Sequence, residues 1–103
     1  MRRSLLAAAL LLTLAVPALV IAQNQVPDCV TVRGQARWGA GAYNHIVTVA
    51  NACERTVNCQ VATSVNPRPT SVIVRAGESA DTVTFIGSPA REFTPRVTCE
   101  QER

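Results

Sequence analysis

The chain after residue 22 contains no leucine and no lysine, and β-branched residues dominate it instead. Residues 23–103 hold 12 Val, 3 Ile and 9 Thr. Branched side chains pack well on a pleated surface and lose rotamer freedom in a helix, so these residue types favour strands. The composition therefore predicts an all-β fold for this part of the chain.

The pattern of the apolar residues points the same way. They recur at every second position in six segments, separated by turn-forming stretches such as residues 39–42, 66–69, 76–79 and 87–89. This spacing predicts a small antiparallel β-sandwich of about six strands, immunoglobulin-like in type. The residues on the apolar phase form the predicted core: Val32, Trp38, Val47, Val49, Val61, Val65, Val72, Val74, Val83, Phe85, Phe93 and Val97.

The first 22 residues have the features of a secretory signal peptide. Arg2 and Arg3 precede an apolar run over residues 5–22, and the small-residue pattern at its end predicts cleavage after Ala22. Ala18 ends a second candidate cleavage pattern, and an uncleaved membrane anchor is the alternative. The predicted organisation is a signal peptide over residues 1–22, a disordered lead-in over residues 23–28 and one domain over residues 29–103.

Removal of the signal peptide changes what the charge implies. The whole chain carries a formal charge of +3, and without Arg2 and Arg3 it falls to +1. A nucleic-acid-binding protein needs a concentrated basic face, and no basic cluster is visible. The sequence therefore predicts a secreted or periplasmic domain with no nucleic-acid partner and no membrane span after cleavage.

The four cysteines, Cys29, Cys53, Cys59 and Cys99, all follow the signal peptide. An even number in a small exported chain predicts two disulfides, and the two bridges would stabilise a domain with a small core. A zinc site is the alternative, but the paired knuckle spacing is absent. All three connectivities are open. We expect Cys53–Cys59 and Cys29–Cys99, since Cys29 is out of phase with the strand that follows it.

Several segments share a pattern with known proteins: residues 43–47, 51–53, 59–63, 65–69, 87–89 and 93–95, together with Cys99. They resemble a group of small exported bacterial proteins of uncharacterised function. The end of the strand at Asn51 and the turn over residues 76–80 are more loosely similar to immunoglobulin-like domains. The resemblance implies an exported β-sandwich, and it brings no activity, cofactor or site residue.

Catalytic chemistry finds few candidates in this sequence. His45 is the only histidine, so a nucleophile–histidine–carboxylate triad would have to use it, with Ser88 and Asp81 as candidate partners. The nucleophile-elbow motif is absent, and strand alternation predicts a structural His45. The carboxylates are more typical of a solvated surface than of a paired acid and base: Asp28, Glu54, Glu78, Asp81, Glu92, Glu100 and Glu102.

Two loops are candidate binding sites. Trp38 and Tyr43 flank a Gly/Ala loop, and aromatic side chains are favoured anchors at interfaces, although we expect Trp38 to fill the core. The loop of residues 66–70 is stiffened by two prolines and carries Arg68, which suits the subsite of a protease.

Taken together, the residues predict a non-enzymatic domain without a cofactor. We expect it to bind or support an envelope component or another protein whose identity the sequence does not show. The two alternatives are a protease inhibitor that acts through Arg68 and a hydrolase that uses His45.

Overall fold

The computed structural model of the protein describes residues 24–103. The predicted signal peptide and its cleavage site lie outside the described residues. Within residues 24–103 there is no helix of a length and hydropathy that would cross a membrane.

The described chain forms six strands in two antiparallel sheets. The strands are β1 (Val30–Gly39), β2 (Ala42–Asn51), β3 (Val57–Thr63), β4 (Thr70–Val74), β5 (Ser79–Ser88) and β6 (Pro95–Gln101). One sheet has the order β1-β2-β5 and the other the order β4-β3-β6. The prediction of a small all-β sandwich with two disulfides is confirmed.

The distribution of strands between the sheets is that of an immunoglobulin-type sandwich for five of the six strands. The first, second and fifth strands share one sheet, while the third and sixth share the other. β4 pairs with β3, which is where this arrangement departs from the immunoglobulin constant type. The immunoglobulin-like relationship therefore stays a prediction.

β1 and β2 form a long hairpin around a two-residue turn. Ala40 and Gly41 both have positive φ, at 53° and 81°, which is the conformation of the tight turns that match the twist of paired strands. Ten residue pairs follow without interruption, from Gly39 opposite Ala42 to Val30 opposite Asn51.

The two sheets differ in length. β1, β2 and β5 have ten residues each, whereas β3 and β6 have seven and β4 has five. The sheets meet closely at Gly34, where a Cβ would lie 2.9 Å from Pro95 Cγ. The turn end of the β1–β2 hairpin lies beyond this contact, so the longer sheet extends past the shorter one.

The core lies between β2 and β3 and is built mainly of valine. Val47, Val49, Val61, Val74 and Val97 are buried as predicted. Val32, Val72 and Phe93 are partly buried against this cluster, and Val65 is half-buried outside it.

Three predicted core residues lie on the surface: Trp38, Val83 and Phe85. For Trp38 the reason is that the short sheet does not reach the turn end of the hairpin. Val83 pairs with Ile46 and lies on the same outward-facing side of the sheet as Asp81. The alternation in β5 was therefore assigned to the wrong face at Val83. The pattern also missed the buried Val30, Ile46 and Val57.

The predicted disulfide pairing, Cys53–Cys59 with Cys29–Cys99, is wrong. The bridges are Cys29–Cys53 and Cys59–Cys99. β3 and β6 are neighbours in one sheet, and Cys59 lies directly opposite Cys99 with a Cα–Cα distance of 4.0 Å. The sequence left this pairing open, but the phase argument against Cys29–Cys53 also counted against Cys59–Cys99, because the two bridges occur together.

The phase argument against Cys29–Cys53 fails because both cysteines lie just outside their strands. Ala52 N–H donates to Cys29 C=O, and the Asn51 carboxamide oxygen accepts from Cys53 N–H, which turns the chain after β2. This turn brings Cys53 to Cys29, with a Cα–Cα distance of 5.0 Å. The Asn51 amide also donates to Val74 C=O and so ties the first sheet to β4.

Residues 24–28 are ordered by contacts with β6, although the sequence predicted a disordered lead-in over residues 23–28. Gln25 exchanges backbone hydrogen bonds with Val97 and Cys99, and the Asn24 side chain accepts from Val97 N–H. Val26 packs against the core. This segment therefore covers part of the outer edge of β6.

Candidate binding site at the open edge of β1

β1 is an edge strand with one long free side. Among the strands of residues 24–103, only β2 pairs with it. The tight turn makes Gly39 and Ala42 a hydrogen-bonded pair, and such pairs alternate along an antiparallel ladder. The backbone groups that point away from β2 therefore belong to every second residue, namely Val32, Gly34, Ala36 and Trp38.

The other sheet edges in the described part of the chain are better protected. β4 is only five residues long and follows Pro69. The edge of β6 begins at Pro95 and is partly covered by Asn24 and Gln25. Irregular register interrupts β5 where it pairs with β2 near His45. Natural sheets blunt their edges with short strands, prolines, bulges and charged side chains. β1 is ten residues long, contains no proline and pairs with β2 without a bulge, so the outward-facing Arg33 and Arg37 are the one such feature that it has.

A pocket of about 300 Å³ lies beside this free edge. We call it the edge pocket, and the residues that line it are Gly34, Ala36, Arg91, Glu92 and Phe93. The floor consists of Gly34 and Ala36, whose lack of bulk leaves room above β1. Phe93 forms an apolar wall, and the exposed Arg91 and Glu92 lie at the rim.

His45 holds the wall of the edge pocket in place. It is fully buried, its Nε2 donates to Ala90 C=O at 2.7 Å, and its ring stacks on Phe93 with 4.2 Å between centroids. Ser88 Oγ accepts from Ala90 N–H and fixes the same loop. One histidine thus contacts the segment of residues 90–93 at both of its ends.

The contacts of His45 do not form a catalytic triad. Its Nε2 is engaged by a backbone carbonyl, and Nδ1 has no hydrogen-bond partner among the described residues. Ser88 Oγ accepts from a backbone amide, and Asp81 accepts from Thr48 Oγ1 on the outward side of the sheet. The structure therefore does not bring the three candidate triad residues together.

The turn end of the hairpin presents two aromatic rings. We call residues 38–43 the hairpin tip. Trp38 is 62% exposed and packs edge-to-face on Tyr43, with 4.9 Å between ring centroids. By strand alternation Trp38 lies on the same face of β1 as Gly34 and Ala36. The aromatic pair therefore continues the surface of the edge pocket toward the tip.

The loop of residues 66–70 is exposed at its centre and braced at its base. Thr63 Oγ1 accepts from the backbone N–H groups of Val65 and Asn66, and the Asn66 amide donates to Thr84 C=O at 2.7 Å. Arg68 is exposed, and its N–H donates to the Asn66 side chain. A basic side chain on a braced loop is the geometry that the inhibitor alternative requires.

The described residues contain no group of three or more His, Cys, Asp or Glu side chains that would hold a metal ion. Both disulfides together engage all four sulfur atoms. The seven carboxylates named above are all exposed. These side chains are those of a solvated surface.

Sequence reasoning named Trp38 and Tyr43 but missed the edge pocket beside them. The available signal was the pair of small residues, Gly34 and Ala36, at alternate positions in the middle of β1, where the neighbouring residues Arg33, Gln35 and Arg37 have long side chains. Phe93 was predicted as a core residue, and it is the residue through which the core supports the pocket.

No protein-family model, no curated protein and no solved structure matches the chain. The resemblance to small exported bacterial proteins therefore stays a prediction.

Proposed function

We propose that this protein is an exported, non-enzymatic binding domain that contacts another protein or an envelope component through the edge pocket and the hairpin tip. The observation that carries the proposal is the exposure of Trp38 beside Tyr43. Exposing the largest side chain of a small domain loses the stabilisation that its burial would give. Exposed aromatic residues are characteristic anchors of binding surfaces.

The disulfides support an extracytoplasmic location, because such bonds persist in oxidising compartments. They also make the site rigid. Cys29–Cys53 links the two strands of the hairpin at the end opposite the tip, and an unbroken ladder of residue pairs connects the bridge to the aromatic rings. A preformed surface loses little conformational entropy when a partner binds.

The test compares capture by three baits from the envelope and culture medium of the producing organism: the wild type, Trp38→Ala and Ile73→Ala. Ile73 is the matched control, because it is a large exposed hydrophobic residue on β4 of the other sheet. We expect one partner that the wild type and Ile73→Ala retain and that Trp38→Ala loses. Equal capture by all three baits would contradict the proposal.

A protease inhibitor that acts through Arg68 is the second candidate, and the braced, exposed loop favours it. An arginine on a rigid loop suits proteases that cleave after basic residues. The expected result is slow-dissociating inhibition of such a protease that Arg68→Ala abolishes and Arg75→Ala, at another exposed arginine, preserves. Cleavage of the loop without inhibition would rule this candidate out.

A further inference from the structure

The free edge of β1 has the features of a site that accepts an additional strand. We propose that an extended acidic segment of a partner protein pairs with β1 along residues 32–38 and places a side chain in the edge pocket. This inference rests on the proposed function and specifies the partner's chemistry and binding mode at the same site.

Backbone pairing is the first part of the argument. Val32, Gly34, Ala36 and Trp38 direct their N–H and C=O groups away from β2, and strand addition satisfies such groups. The same four residues have their side chains on the pocket face of the strand. A partner residue paired with Gly34 or Ala36 would share that face, so its side chain would enter the pocket between the strand and Phe93.

Charge is the second part. Arg33 and Arg37 are exposed on the opposite face of β1, four positions apart. Arg37 donates only to the neutral Gln35 side chain, at 3.3 Å, and within residues 24–103 neither guanidinium has an ion-pair partner. Arg91 adds a third positive charge at the rim, and Glu92 is the single acid there. Carboxylates on the outward-facing residues of an added strand would lie opposite Arg33 and Arg37.

The same charges disfavour a second copy of the chain in the register that uses both pocket residues. An antiparallel pairing of two β1 strands that places Gly34 of each copy opposite Ala36 of the other also places Arg33 of each copy opposite Arg37 of the other. Like charges directly opposite each other destabilise a strand pair. The edge is therefore complementary to an acidic strand and repels its own copy in this register.

The probe is a labelled seven-residue peptide, Val-Glu-Val-Thr-Val-Glu-Val, which aligns its two Glu with Arg33 and Arg37 and its Val residues with the pocket face. The comparison peptides replace both Glu by Lys or carry N-methyl groups on the two Val amides opposite Gly34 and Ala36. Fluorescence anisotropy measures binding to the mature, disulfide-bonded protein. We expect saturable binding of the acidic peptide that is weakened about tenfold or more by N-methylation and by the Lys exchange.

The charge-reversed double variant Arg33→Glu/Arg37→Glu should exchange the preference, so that the Lys peptide binds about tenfold more tightly than the Glu peptide. A gain of binding cannot come from a variant that has failed to fold. Arg55→Glu/Arg75→Glu changes the net charge equally at exposed positions away from β1, and it should keep the wild-type preference.

Three outcomes would overturn the inference: equal binding of the N-methylated peptide, equal effects of the two double variants, or a dimer of the wild type that excludes the peptide. Sedimentation of the free protein detects the last of these. The proposed function is tested separately by the dependence of partner capture on Trp38. If that dependence holds while the acidic peptide fails, the binding surface stands and only the acidic-strand partner is wrong.

Discussion

Strands of the two sheets show the same alternation of residues, but the inward-facing residues are buried in one strand and mostly half-buried or exposed in the other. In β3 every second residue is buried, from Val57 to Thr63. In β1 the equivalent alternation buries only Val30 and leaves Trp38 exposed. The difference lies in what covers each strand, because β3 is central in its sheet and faces β2, whereas β1 is an edge strand that extends beyond the shorter sheet.

The comparison shows what alternation measures. A period of two identifies a strand and separates its two faces, but it does not tell whether a second layer lies over the apolar face. Where the layer is present, as over Val61, the apolar face becomes core. Where it is absent, as over Trp38, the same pattern leaves an apolar side chain exposed.

The largest expected difference between the sheets is in their disulfides. Cys59→Ala/Cys99→Ala should destabilise the domain by about 4 kcal/mol or more, because it opens a 40-residue separation and removes two buried sulfurs from the core. Cys29→Ala/Cys53→Ala should cost about 3 kcal/mol for a 24-residue separation at the margin of the fold. Denaturant unfolding measures both losses of free energy. A larger loss for Cys29→Ala/Cys53→Ala would mean that its bridge, and not Cys59–Cys99, contributes more to the stability of the domain.

Peptide mapping of the unreduced protein gives an independent check on the same bridges. It should recover Cys29 linked to Cys53 and Cys59 linked to Cys99. Denatured, unreduced protein should contain no thiol that can be labelled. A peptide that links Cys53 to Cys59 would contradict the structure.

His45 provides the next largest effect, because it connects the core to the edge pocket. His45→Ala removes a fully buried ring, its hydrogen bond to Ala90 and its stack on Phe93, so we expect a loss of about 2–4 kcal/mol. The edge pocket should also lose its peptide affinity, since the wall loop is no longer held. A screen of hydrolase substrates should show no turnover for the wild type, and turnover that the variant loses would support the hydrolase alternative.

The fold could be predicted from the sequence further than the site could. Val and Thr content, alternation and turn residues are local signals, and they led to six strands in a sandwich. Strand order is not local: no sequence signal shows that β3 and β6 are neighbours, so nothing in the residues favoured the Cys59–Cys99 bridge over the other pairings. The edge pocket is even harder to predict from sequence, because Gly34 and Phe93 become neighbours only when two sheets of unequal length pack together.

Two valine substitutions compare a buried strand position with an exposed one, and both should change the stability less than loss of a disulfide does. Val61→Ala in β3 should cost about 1–3 kcal/mol, since the side chain is fully buried. Val83→Ala in β5 removes the same atoms from a side chain that is 54% exposed, so its cost should stay within about 0.5 kcal/mol. Equal losses in denaturant unfolding would mean that the outward face of the longer sheet is covered in solution.

A small effect on stability is also expected for the largest side chain. Trp38→Ala should change the free energy of unfolding by less than about 1 kcal/mol, because Trp38 contacts Tyr43 but no layer of the opposite sheet. Trp38 is the only tryptophan, so its fluorescence reports this position alone. The native protein should be quenched by iodide nearly as strongly as the unfolded chain, with some protection from the ring of Tyr43. Strong protection from iodide in the free protein would mean that Trp38 is buried. The hairpin tip would then be part of the core and not an exposed surface.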